Sequence, residues 1–386
     1  MPELINLTPF PNFRYYSRDN QDREFGIVIV KATYELDASG RLVEAEEQAP
    51  MMFTDKCHGA VNVTSLWHPS DLVPNKPATD LIVNATAHAP GDKPTPDWLC
   101  GLTIRDGGAE LLSKQLRVTG PRQWQPVWKR RLNEREASEW QQHRKLFDRW
   151  ELSEPSPVMT VPLRYEYAFG GEVQKGLNEE SAPIFDTDHY NPLGRGKINE
   201  DWTDHTQPVA APQIEAPDDP IHEPYKTYRP QNFGPIPPAW LPRRPLGGTY
   251  DEHWQQTIWP AWPADYSFAY HNSAHPDLVI KPHLKGHEQI VLTGMTKGTE
   301  DCAINLPGEQ AMVDFVREDG TIERETMHLD TVFLDIASAR QRDWRVYLSW
   351  RVNFEPDQFE QAIIHRIKLP HAPMDQQTEA KEDMAL

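Results

Sequence analysis

Chemistry in this chain would fall to a few small clusters of titratable residues. Asp186, Asp188 and His189 lie within four residues and could offer oxygen and nitrogen ligands to a divalent cation. His271 with His275, and His283 with His287, repeat at i, i+4, a spacing that suits zinc when both imidazoles share a helix face. The surroundings argue against both uses. The Asp/His run precedes Asn191-Pro192-Leu193-Gly194, a turn composition, and Pro276, Pro282 and Gly286 break any helix that would align the histidines. Carboxylates are abundant. Asp71 in Pro69-Ser70-Asp71-Leu72 and Asp251 in Gly248-Thr249-Tyr250-Asp251 have the most distinctive settings, and either could act as acid or base in a carbohydrate- or cell-wall-directed hydrolase. Read locally, Asp71 sits in a capped turn, and Asp251 caps or salt-bridges the segment Glu252-His253-Trp254.

The stronger catalytic signatures are missing: there is no G-x-S-x-G elbow, phosphate loop, H-E-x-x-H or dinucleotide fingerprint. Cys57, Cys100 and Cys302 are odd in number and far apart, so neither a disulfide framework nor a C-x-x-C site is present, which fits a reducing compartment. No catalytic, metal-binding or cofactor-binding residue is assigned, and no cofactor is expected.

The elements that must position these residues are mostly strands. Residues 26–36 form a nearly continuous apolar and β-branched run, read as a strand buried on both faces before the turn at 37–40. Residues 81–89 are similar. Residues 99–104 and 109–118 flank Arg105-Asp106-Gly107-Gly108 as a hairpin. The period changes at 133–150, where Asn133 and Glu136 form a capping pattern and Ala137, Trp140, Phe147 and Trp150 fall on one helical face. That predicts a helix packed on a sheet. Its basic residues, Arg130, Arg131, Arg135, Arg144, Lys145 and Arg149, also allow a partner-binding arm. Val161, Leu163, Tyr165, Tyr167 and Phe169 then alternate as a strand up to Gly170-Gly171.

Residues 172–275 hold 15 of the 36 prolines, interleaved with Trp240, Trp254, Trp259 and Trp262, which predicts an ordered irregular wrap because disordered linkers are poor in aromatics. Strand patterns resume at 289–292, 311–317 and 321–336, and Trp344, Val346, Leu348, Trp350, Val352 and Phe354 alternate without a break. A second helix is expected near 357–367. The fold class is therefore mainly β: antiparallel sandwich or open-barrel-like sheets, a long ordered Pro/Trp-rich loop region and one or two helices. The expected regions are an N-terminal β region at 1–171, the wrap at 172–275, a C-terminal β region at 276–370 and a flexible tail at 371–386, able to pack as one domain.

Lys and Arg number 39 against 58 Asp and Glu, a net charge of −19, so nucleic acid and anionic membrane surfaces are disfavoured partners. The N-terminus lacks the basic and apolar regions of a secretory leader, and no apolar run is long enough to span a bilayer. A cytoplasmic soluble protein is expected.

A set of local motifs carries a more specific signal. It comprises Ser70-Asp71-Leu72-Val73-Pro74 with Lys76-Pro77 and Thr79-Asp80; Val118-Thr119-Gly120-Pro121-Arg122-Gln123-Trp124; and Val161-Pro162-Leu163-Arg164-Tyr165-Glu166-Tyr167-Ala168-Phe169-Gly170-Gly171. It continues through Asn191-Pro192-Leu193-Gly194, Asn232-Phe233-Gly234-Pro235-Ile236 and Arg243 before Gly248-Thr249-Tyr250-Asp251, with Trp254 and Leu306-Pro307. Together these resemble the domain-of-unknown-function 2169 family of bacteria over nearly the whole chain. The resemblance implies a type VI secretion adaptor or chaperone that binds a cognate toxic effector and helps load it onto the spike, through its valine-glycine repeat protein or a proline-alanine-alanine-arginine tip. It supplies no catalytic residues. Asp71, Lys76, Asp80, Arg122, Trp124, Arg164, Tyr165, Arg243, Tyr250 and Asp251 read as architectural motif positions. The residues themselves also fit a binding scaffold, with Trp240, Trp254, Trp259 and Trp262 as candidate partner contacts. An acidic surface would attract a cationic toxin.

Overall fold

The run of apolar and β-branched residues at 26–36 becomes the spine of the largest sheet in the computed structural model, which describes residues 2–37, 41–298, 301–338 and 340–369. Its principal strands are β1 (Asn12–Arg18), β2 (Glu24–Leu36), β3 (Thr79–Asn84), β4 (His328–Asp335) and β5 (Arg345–Phe354). Their spatial order is β1-β2-β5-β4-β3, with Val279–Ile280 beyond β3 and Leu42–Glu44 beside β2. All neighbours are antiparallel except β4 and β3. The alternation in β5 places Val346, Leu348, Trp350, Val352 and Phe354 in the core. The pairing aligns them with Tyr34, Ala32, Val30, Val28 and Gly26 of β2, so one face of the sheet is apolar.

A second, five-stranded sheet is built on the expected hairpin, Asp97–Asp106 with Ala109–Thr119, and takes in Gln289–Thr293, Cys302–Asn305 and Ile214–Glu215. A four-stranded sheet orders Glu3–Asn6, Gln361–Lys368, Glu309–Val316 and Ile322–Thr326. The sheets are open, and the chain is mainly β with few helical turns. Strands from 1–171 and from 276–370 share all three of these sheets, and one hydrophobic cluster runs from Phe10 to Ile364. The tail at 371–386 lies outside the described residues.

Three expectations for individual elements are corrected. The helix at 133–150 is only α1, Glu134–Ser138, started by the expected capping box between Asn133 and Glu136. A 3₁₀ turn, Trp140–Leu146, follows, and Phe147–Leu152 is a strand paired with Gln123–Trp128. Trp140, Phe147 and Trp150 converge on the His205 ring at centroid distances of 4.5, 4.3 and 5.3 Å instead of lining a helix. The helix at 357–367 is instead the strand Gln361–Lys368, drawn in by an eight-residue ladder to Glu309–Val316 and a parallel ladder to Glu3–Asn6. The strand at 161–169 is interrupted. Thr160–Pro162 and Phe169–Gly170 are extended, but a 3₁₀ turn at Tyr165–Tyr167 swings Tyr165 into a separate core with Ile236 and Trp240.

The Pro/Trp-rich segment contains few regular elements and packs closely in places. Phe233, Ile236 and Trp240 are buried, and the backbone of Phe233 bonds to Val83 in β3.

Candidate functional site

The face of the large sheet opposite its apolar core is also buried, and it is polar. Strand register places Lys31 of β2 beside Ser349 of β5, Ser349 beside Thr331 of β4, and Thr331 beside Asp80 of β3. One row of polar side chains therefore crosses four strands, each of its members being buried. Such a row persists only if its groups satisfy one another.

They do so through the loop carrying Asp71 and Lys76. Lys31 Nζ donates to Asp71 Oδ2 at 2.8 Å and to His68 Nε2 at 3.0 Å. His68 Nδ1 lies 2.6 Å from the carbonyl of Pro69, which can only accept, so Nδ1 carries the proton and Nε2 receives the lysine. Lys76 Nζ donates to Asp80 Oδ2 at 2.9 Å and to Thr331 Oγ1 at 2.8 Å. Asp80 also accepts from the Asn272 amide and from the Ser273 backbone. Arg351 pairs with Asp330 at 2.6 Å and donates to the carbonyl of Asp71 at 3.0 Å. Three cations thus face three carboxylates.

Burial sets the electrostatics. Loss of hydration lowers the Lys31 pKa, opposed by the Asp71 carboxylate. Burial, then the Lys31 charge, brings His68 down to about 4, so its imidazole is neutral at pH 7. His271 is lowered to about 3, first by burial and then by Arg243, Lys76 and Arg351. A lysine of lowered pKa beside a neutral histidine has the makings of a nucleophile or base. The space does not follow suit: the cavity among Lys31, His68, Asp71, Lys76, Thr331 and Tyr347 measures about 10 Å³, room for roughly one water molecule. The arrangement can hold solvent and fix strand register, but it has no berth for an organic substrate.

The motifs that furnish this cluster are matched by a family profile described as an uncharacterized protein conserved in bacteria (DUF2169), over residues 21–351. The chain belongs to that family. No curated protein and no solved structure matches it.

Within the family's matched span, the structure unites Asp71, Lys76 and Asp80 and sends the other motif residues elsewhere. Arg122 is buried, donates to the carbonyl of Pro212 at 3.1 Å and pairs with Glu215, which also holds Arg117. Trp124 is buried beside Trp150 and Phe169. Tyr165 stacks edge-on to Trp240 at 5.6 Å, while Arg164 is half-buried just before it. Arg243 is buried, donates to the carbonyls of Ile236 and Tyr270 and lies over the Tyr270 ring at 5.5 Å. Asp251 accepts from the backbone of Trp254 at 2.8 Å and caps α2, Glu252–Thr257. Asp71 and Asp251 therefore have different local duties, one an ion-pair partner and the other a helix cap.

The metal candidates separate as well. Asp188 accepts from the Tyr190 backbone in a turn, and Asp186 pairs with Lys197 at 2.8 Å. His271 meets the Tyr266 hydroxyl whereas His275 bonds near Lys114; His283 stacks on His328 at 4.6 Å whereas His287 reaches Asp106 at 3.0 Å. Among the described residues no group of three or more His, Cys, Asp or Glu is placed to hold a metal ion.

The four tryptophans differ in what they offer. Trp240 is buried, its ring already used by Tyr165. Trp254 is half-buried, wedged by Tyr250 at 4.7 Å and tied through Nε1 to the carbonyl of Ala261. Trp262 packs on Tyr266 and Phe268. Trp259 is 66 % exposed and Tyr250 is 58 % exposed, so this end of the proline-rich segment presents aromatic surface to solvent.

Four members of the buried cluster, Lys31, His68, Asp330 and Arg351, were not singled out by sequence motifs. The available signal was Lys31 itself, a charge inside a run apolar enough to be buried on both faces.

Proposed function

We propose that this chain is a non-enzymatic adaptor or chaperone of bacterial type VI secretion, holding a cognate toxic effector in the cytoplasm and assisting its transfer to the spike or its tip. The type VI setting rests on the family resemblance of the motifs. The adaptor role rests on one observation above others: an exposed aromatic surface around Trp259, in a chain of net charge −19 whose motif carboxylates Asp71 and Asp80 are already paired inside the protein. Exposed tryptophan and tyrosine are efficient interface anchors because they bury large area with few rotors.

The test is capture with the tagged full chain from its native lysate, at low and high salt, followed by mass spectrometry. Recovery of a toxin together with a spike or tip protein is the expected result. Reproducible recovery of neither, from cells assembling the secretion apparatus, would sink the reading.

A further inference from the structure

Between Arg244 and Lys281 lie 36 residues without a single lysine or arginine. This stretch holds Tyr250, Trp254, Trp259, Trp262, Tyr266, Phe268 and Tyr270, together with the carboxylates Asp251, Glu252 and Asp265; its other carboxylate, Asp277, is paired with Lys114 at 2.7 Å. The turn between β1 and β2 leans against it, with Asn20 reaching the carbonyl of Ala264 at 3.4 Å and Phe25 packing on Phe268 at 6.0 Å. That turn adds Asp19, Asp22 and Glu24, and its two cations are engaged: Arg18 with Asp22 and Glu24, Arg23 with Asp19. The solvent side of the patch therefore combines exposed aromatic rings with an excess of carboxylate.

The mounting of Trp259 is firm. Its backbone N–H donates to the carbonyl of Trp254 at 2.9 Å, and the N–H of Ala261 closes the turn on Ile258 at 3.0 Å. The backbone beneath the indole is thus fixed, which limits the ordering cost of contact to the two side-chain rotors. A ring in a carboxylate-rich setting favours a cation over its face, and guanidinium suits it best because it stacks flat while donating to nearby carboxylates.

We propose that the patch centred on Trp259, with Tyr250, Asp251 and Glu252, is the docking surface for an arginine-rich extended segment of a protein partner. This deepens the adaptor reading and rests on it, naming the chemistry of the partner. Nucleic acid is repelled by the same carboxylates. A glycan chain, which also stacks on tryptophan, is the competing occupant.

The experiment uses the purified full chain with three probes: a labelled peptide of alternating Arg and Gly, the same peptide with Glu for Arg, and soluble peptidoglycan fragments. The Arg peptide is expected to bind and the Glu peptide not. Trp259→Ala should weaken the Arg peptide about tenfold and Trp259→Phe about threefold or less. Asp251→Asn with Glu252→Gln should flatten the salt dependence, the asparagine preserving the helix cap. Unchanged thermal midpoints guard against misfolding, since Trp259 is exposed. Absence of Arg-peptide binding, equal binding of both peptides, indifference to Trp259→Ala or selective binding of the glycan would each overturn the proposal. Lysate capture of an effector that survives Trp259→Ala would overturn this surface and leave the adaptor role standing.

Discussion

Lys31 is the residue on which the interior of the large sheet turns. Its ammonium is nearly water-free and is met by Asp71 and a neutral His68. A buried pair gives modest net stability, but removing one partner strands the other charge. Lys31→Met is therefore expected to cost about 3–5 kcal/mol in urea unfolding, and adding Asp71→Asn should recover a good part of it. His68 carries a pH signature. Its folded pKa of about 4 lies below the ordinary 6.5, so between these values the unfolded chain binds more protons and stability rises with pH. The contribution is full above about pH 6.5 and is lost as pH falls towards 4, amounting to about 2–4 kcal/mol. His68→Gln should reduce the slope of the pH–stability curve in that window, leaving the part due to His58 and His275, also lowered to about 4, and to His271, lowered to about 3. The sequence made Asp71, Lys76 and Asp80 visible through their motif. Lys31, Asp330 and Arg351 stayed hidden because only the register of β2, β5 and β4 brings them into reach.

Elements were legible where pattern and pairing agreed. The alternation of β5 and the glycine-turned hairpin at 97–119 were readable because each is decided within a few residues. Gln361–Lys368 was not, since Ala362 and Ile364 fit a strand spacing while Ile364 and Ile367 fit a helical one, and a remote ladder makes the choice. The two structures differ in a measurable way. In a helix residues 364 and 367 share a face, whereas in this strand Ile364 is buried and Ile367 is 41 % exposed. Ile364→Ala should cost about 2–5 kcal/mol and Ile367→Ala under about 1 kcal/mol, by denaturant titration. The motif glycine at 120 has an equally concrete reason. A Cβ there would sit 1.8 Å from the carbonyl oxygen of Ser156, so Gly120→Ala is expected to lower stability by about 1–3 kcal/mol or more and to displace the Ser156 backbone. The helix at 133–150 misled for a related reason: its aromatic spacing serves a cluster around His205, contributed by the proline-rich segment some sixty residues later.

At the scale of the whole molecule, acidity and proline have distinct consequences. Charge is spread through the chain, but the stretch from 245 to 280 has no lysine or arginine of its own, and with Asp277 paired to Lys114 it is Asp251, Glu252 and Asp265 that give the surface around Trp259 a sign as well as a shape. Proline marks where backbone leaves the sheets, and the wrap it builds closes over the polar face through Asn272 and Ser273. Folding and surface are therefore coupled: the segment that displays Trp259 also caps Asp80. Asn272→Ala is expected to lower stability by about 1–3 kcal/mol, because it leaves acceptors at Asp80 and Ala78 short of a donor, and to raise the protease sensitivity of residues 245–275. Equal stability of variant and parent would separate the wrap from the sheet beneath it.

The strand order β1-β2-β5-β4-β3 carries a further implication for synthesis. β2 and β3 emerge early from the ribosome, yet their neighbours β4 and β5 come from the last sixty residues, and the Lys76–Thr331 bond alone spans 255 positions. Until β4 and β5 have been made, the β5-facing edge of β2 and the β4-facing edge of β3 have no strand to pair with, and Lys76 lacks its bond to Thr331. A chain cut short before β4 would therefore expose both edges, a state prone to pairing with other chains.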